Sequence, residues 1–219
     1  MIARLLSQLW ANRALALAVY LPCAALLLLL GGVGLWGEID LAVFLRDPAA
    51  LAKTHPLTGL VSNLGALVWA ATASLCFFSV ALARARGDSK EARFFLAAGA
   101  LTTVLLLDDM FMAHEDLLPR YLGLDQRITF GVYGVLTLGF LVHFRARILA
   151  SDFLFLLAAC GSFALSILLD VLPGGFMRGQ LLFEDGFKLL GIAGWFAFYA
   201  RAAYVSATRG PASSASPAG

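Results

Sequence analysis

Six stretches of this chain are apolar over the length a helix needs to cross a bilayer. They cover residues 14–36, 57–83, 93–113, 128–149, 152–172 and 181–205, each near or above the roughly 20 residues of a spanning helix. The pattern predicts an all-α fold: a polytopic integral membrane helix bundle of six transmembrane helices within residues 1–206. The run from Ala14 to Trp36 exceeds the roughly 7–15 residues of a secretory signal core and is predicted to be a span. Residues 207–219 hold no apolar side chain larger than alanine or proline, which predicts a disordered cytoplasmic tail.

Composition agrees with a lipid solvent. Of 219 residues, 61% are hydrophobic and 14% charged, and the mean hydropathy is +0.85, whereas soluble domains carry about 25% charged residues. The net charge of +2 is too small for the basic surface of a nucleic-acid binder. Cys23, Cys76 and Cys160 all fall inside apolar runs, where they act as small core residues instead of disulfide or zinc-site cysteines. Ten Lys and Arg fall on one side of the six spans and five on the other, which predicts an inner-membrane orientation with both termini cytoplasmic. On the cytoplasmic side, Arg145 and Arg147 with His143 suit lipid headgroups. Eleven of the 14 acids lie on the outer half, and the charge rule does not account for this, because Asp and Glu weigh little in it.

That excess centres on the third span, which ends Leu105-Leu106-Leu107-Asp108-Asp109-Met110-Phe111-Met112-Ala113-His114-Glu115-Asp116. At 1.5 Å per residue Asp108 is about 22 Å along the axis from Arg93, approaching the outer interface but still inside. Helical spacing puts Asp108, Met112 and Glu115 on one face and Asp109 and Asp116 about 100° round. His114 points elsewhere unless the helix ends or unwinds near Ala113. The sixth span reaches the same depth from the other end with Glu184, Asp185 and Lys188. Asp170 and His55 complete the layer. Carboxylates at this depth cost about 2.5–3.5 kcal/mol each at a helix centre and face a partner or a wet cavity. Two explanations compete for them. One is ion pairing, Glu184 with Lys188 at i, i+4 and Asp109 or Asp116 with Arg120. The other is a site, in which Asp, Glu and His donors suit zinc, manganese or iron.

The segment Leu107 to Glu115, with Glu184-Asp185 opening a later span, resembles a group of small bacterial multi-pass membrane proteins of unassigned function. In that group an acidic pair precedes a His-Glu pair in one transmembrane helix. Lys188 stands where the pattern would place a further acid. The residues together lead us to expect a metal-dependent enzyme embedded in the inner membrane, a hydrolase or oxidoreductase acting on a lipid or other hydrophobic substrate. Asp108, Asp109, His114 and Glu115 would ligate a divalent metal, and Glu184 or Asp185 would act as general base. The alternative is a non-enzymatic proton- or cation-coupled carrier, or an assembly protein of a membrane complex. The partners expected are the bilayer and a hydrophobic small molecule, with a homo-oligomer or membrane complex open and no nucleic acid.

Overall fold

The computed structural model describes residues 10–36, 40–171 and 179–208, among which every regular element is helical. The predicted tail beyond Thr208 lies outside the described residues. The chain divides into two compact units, Met1–Thr58 and Gly59–Gly219.

The first unit holds one long helix, α1 (Arg13–Trp36), followed by the short helices Ala42–Leu45 and Pro48–Ala52. The last of these begins where a sequence signal places it. Asp47 accepts from the Ala49 and Ala50 amides at 2.8 and 3.2 Å, Pro48 follows at the first helical position, and Lys53 ends the helix in the left-handed region. His55 also belongs to this unit. Its Nδ1 accepts from the Leu57 amide at 3.2 Å, so the ring closes a local turn.

The second unit contains five long helices: α2 (Leu60–Ala85), α3 (Ser89–Phe111), α4 (Gln126–His143), α5 (Leu154–Val171) and α6 (Gln180–Thr208). Gly87, at φ +74°, lets the chain turn between α2 and α3, and Asp88 then caps α3 by accepting from the Glu91 amide at 3.0 Å. Asp125 caps α4 through the Arg127 amide at 2.7 Å. The fourth predicted span is shorter than expected: α4 ends at His143, and Arg145–Leu149 forms a separate short helix.

The core of this unit lies among α2, α3, α5 and α6. Trp69 stacks on Phe163 at 5.6 Å and meets Trp195 edge-on at 6.0 Å, and Phe94 packs against Phe140, Phe144 and Tyr199. Ala73, Cys76, Ala98, Ala159 and Ala202 are buried between them, and small residues of this kind let helix backbones approach closely. Gly191 sits against the Phe163 ring: a Cβ there would lie 2.6 Å from it, so a larger residue would force the ring to move. The buried indole of Trp195 donates to the Thr102 hydroxyl at 3.0 Å, tying α6 to α3. Leu67, Phe78, Val135, Leu138, Leu157 and Leu168 point outward and are exposed.

Four helical segments, Arg13–Gly34, Leu60–Ala85, Ser89–Phe111 and Leu154–Val171, are long and apolar enough to cross a membrane. With the apolar outer faces, they mark a membrane protein. Helix α4 starts with Gln126 and Arg127, and α6 carries Glu184, Asp185, Lys188 and Arg201, so these two are more polar.

Far from the acidic layer, Arg147 is drawn inward instead of standing free for headgroups. It makes a bidentate pair with Glu91 of α3, at 2.6 and 2.8 Å, while its guanidinium lies 5.0 Å from the Phe94 ring centre. The side chains are 19% and 6% exposed, so removal of either leaves a charge in a low-dielectric place. We expect Arg147→Ala to cost about 3 kcal/mol in detergent unfolding, and Glu91→Leu/Arg147→Leu to cost clearly less than the two single changes added together.

Candidate functional site

Helix α3 is amphipathic nowhere near its end, and nothing in Met110-Phe111-Met112-Ala113 forbids its continuing. It nevertheless stops at Phe111. Met112 takes the left-handed conformation, φ 48° and ψ 44°, with its amide bonded to the Asp108 carbonyl, and the chain resumes as a π-helical turn over Ala113–Leu117. The cause lies in Asp108. Its carboxylate is buried, and the reversal at Met112 brings two donors of His114 onto it. The His114 amide donates to Oδ1 at 3.0 Å and the imidazole Nδ1 meets Oδ2 at 2.6 Å. A third donor, the Tyr133 hydroxyl of α4, reaches Oδ1 at 2.8 Å. A carboxylate satisfied by three donors offsets much of its desolvation.

His114 itself is buried, with its ring 4.8 Å from that of Phe130. Its second nitrogen, Nε2, lies 3.4 Å from Oε1 of Glu115, a side chain 54% exposed. Tyr133, Asp108, His114 and Glu115 therefore form a continuous chain of polar atoms from inside the bundle to its surface. His114 lies beyond the end of α3. Burial opposes charging its ring, but the hydrogen bond and charge of Asp108, with the charge of Glu115, outweigh burial and raise its pKa above 6.5.

Asp109 goes another way. Its Oδ1 is paired with the Lys188 ammonium of α6, its side chain is 5% exposed, and Oδ2 is buried without a hydrogen-bond partner. Lys188 thus bonds across helices and makes no ion pair with Glu184, the partner that spacing within α6 favours. Asp116 and Arg120 do pair, at 3.6 Å, but both are more than half exposed, so the contact contributes little. On the far side Gln126 donates to Asp170 at 2.8 Å, linking α4 to α5.

Among α2, α3, α4, α5 and α6 lies a cavity of about 390 Å³. Trp69, Phe163 and Trp195 wall one part of it. Another part contains every candidate site residue, Asp108, Asp109, His114, Glu115, Glu184 and Asp185, together with Asp170, Lys188 and Phe130. A smaller cavity of about 150 Å³, lined by Ser62 and Gly65 of α2, shares Asp109, His114, Glu115, Asp185 and Lys188 with the larger one.

The expected metal ligands share the cavity but are occupied by different partners. Asp108 and His114 bond to each other and Asp109 to Lys188, and among the described residues no three His, Cys, Asp or Glu side chains are placed to hold one ion. Tyr133 was not among the sequence candidates. The only signal for it is its position between Gly131 and Gly134, a tyrosine hydroxyl within the apolar stretch Phe130–Leu136.

All of these residues fall within one family match, which covers residues 13–202. The chain belongs to the DUF8692 family, a domain of unknown function. No curated protein and no solved structure matches it. The match takes in α1 to α5 and most of α6, so the cavity is wholly inside the family's domain.

Met112 gives a direct check of the reversal. A non-glycine residue in the left-handed region costs about 1–2 kcal/mol, and Met112 is 55% exposed. Met112→Gly should therefore leave the protein as stable or more stable by up to about 1 kcal/mol, and Met112→Val should destabilise it, as measured by thermal melts in detergent.

Proposed function

We propose that this protein is a multi-pass protein of a bacterial-type inner membrane, with six spans and cytoplasmic termini, whose cavity holds an amphiphilic molecule for hydrolysis by acid–base catalysis. The observation that carries this reading is the buried Asp108–His114 pair at the polar end of an aromatic-walled cavity. A carboxylate bonded to one nitrogen of an imidazole fixes the ring and its tautomer and leaves the other nitrogen to exchange protons. Burial opposes charge on His114, but the hydrogen bond and charge of Asp108 and the charge of Glu115 raise its pKa. Hydrolysis is the class chosen because water is its only co-reactant. The apolar end, between Trp69, Phe163 and Trp195, suits an acyl or alkyl chain, and the acidic end suits a polar head. The 10 to 5 division of basic residues supports the six-span topology.

In this reading His114 is the catalytic group, Asp108 and Tyr133 position it, and Glu184 or Asp185 holds the head. A zinc, manganese or iron ion ligated by Asp108, Asp109, His114 and Glu115 would require Asp109 to leave Lys188, and the arrangement of donors favours catalysis without it.

The Asp109–Lys188 pair joining α3 to α6, in which the carboxylate is buried and the lysine partly exposed, favours a second reading, a proton- or cation-coupled carrier in which protonation of Asp109 would release α6.

The test is incubation of the reconstituted chain with total membrane lipid, followed by mass spectrometry. Hydrolysis products should accumulate with the natural chain and fall at least about 100-fold with His114→Gln, the size of a lost general base, while His114→Gln remains folded. Equal product profiles would contradict catalysis and leave the carrier.

A further inference from the structure

Three of the acids on the smaller cavity, Asp109, Glu115 and Asp185, face a single lysine, Lys188, and His114. Acids alone would not identify a ligand, since water or a neighbouring helix can satisfy them. The Asp109 carboxylate is more specific. Its side chain is 5% exposed and Oδ1 is taken by Lys188, yet Oδ2 is buried with no donor within hydrogen-bond reach. Buried carboxylate oxygens are nearly always bonded, and leaving one unsatisfied forfeits a charge-assisted hydrogen bond. Gly65 of α2 lies beside it and adds no side chain. A Cβ at that position would stand 3.7 Å from Asp109 Oδ2 and 3.0 Å from Cδ1 of Ile192. The receptor therefore consists of an acceptor without a donor, an acidic surround, and a missing side chain. The cavity, about 150 Å³, has room for a small polar head, and it adjoins the larger aromatic-walled cavity through five shared residues.

We propose that Asp109 Oδ2 is the acceptor for a protonated amine, so that the molecule taken by this protein is a long-chain amphiphile whose head carries a primary ammonium. This rests on the amphiphile-binding reading above and narrows it to one head-group chemistry. The lining sets three acids, Asp109, Glu115 and Asp185, against Lys188 and His114, so the surround stays net acidic and favours an ammonium over a carboxylate or phosphate head, while an alcohol donates to the same oxygen without that gain. The ammonium would donate one N–H to Asp109 Oδ2 with its charge balanced by the two nearby acids, while the chain runs towards Trp69 and Trp195.

Those two tryptophans report on occupancy. The full chain, with Trp10→Phe and Trp36→Phe to remove the other indoles, is placed in lipid nanodiscs. It is titrated with 12-bromododecylamine, 12-bromododecanol and 12-bromododecanoate, whose bromine quenches indole fluorescence. The amine should quench saturably at a concentration at least tenfold below the alcohol, with the carboxylate weaker still. Gly65→Ala, which places a methyl against Oδ2 but leaves the Lys188 pair intact, should raise the amine's half-saturation at least tenfold and leave the alcohol's unchanged. Asp109→Asn should abolish the preference among heads. If the three probes saturate at one concentration, or the carboxylate binds first, the amine inference falls while amphiphile binding stands. If none saturates, both fall. An unchanged amine affinity in Gly65→Ala also overturns the proposed receptor.

Discussion

A carboxylate near the end of an apolar helix must find donors or lose its charge, and the way Asp108 finds them organises the acidic half of this protein. Its three donors come from three places: the His114 amide and ring after the chain reverses, and the Tyr133 hydroxyl of α4. Each bond fixes something different. The amide bond sets the exit of the chain from α3, the ring bond sets the tautomer and direction of the imidazole, and the tyrosine bond anchors α4. Left-handed Met112 costs about 1–2 kcal/mol, less than the penalty of a buried carboxylate without partners, so the helix gives way rather than the charge.

The neighbouring Asp109 shows how one step along a helix separates two functions. A rotation of about 100° turns it from α4 to α6, where Lys188 takes one oxygen and leaves the other bare. Both acids line the cavity of about 390 Å³. Its apolar end belongs to the same aromatic cluster that forms the core, since Trp69, Phe163 and Trp195 serve both. Cavity shape and bundle stability are therefore coupled through these rings.

Much of this was legible in the sequence. Hydrophobic run length placed five of the six long helices to within four residues at each end, because burial in lipid demands a continuous apolar segment and little else; it overran α4, which ends at His143. The acids of α3 and α6 announced themselves as a shared layer because charge at that depth needs a partner. What the sequence did not reveal came from long-range geometry. Met110-Phe111-Met112-Ala113 contains no glycine or proline, so the stop at Phe111 is imposed by Asp108 and not by local propensity. The i, i+4 spacing of Glu184 and Lys188 favours a local pair, yet a buried acid on another helix outweighs it. Tyr133 sits in a glycine-spaced stretch that suits close helix packing, and its hydroxyl gained a role only when α3 supplied an acceptor. Arg147 likewise fits headgroup contact in the sequence and turns to Glu91 in the fold.

The most direct test of the central claim, that Asp108 holds His114 in one tautomer and so ends α3, is nitrogen-15 NMR of histidine-labelled protein in nanodiscs. The chain has three histidines, and His114→Gln assigns the signal. The account predicts a protonated Nδ1 in a strong hydrogen bond, with its proton shifted far downfield, and loss of that signal in Asp108→Asn. A His114 ring that titrates at the ordinary value near 6.5 with no hydrogen-bonded Nδ1 proton would contradict it.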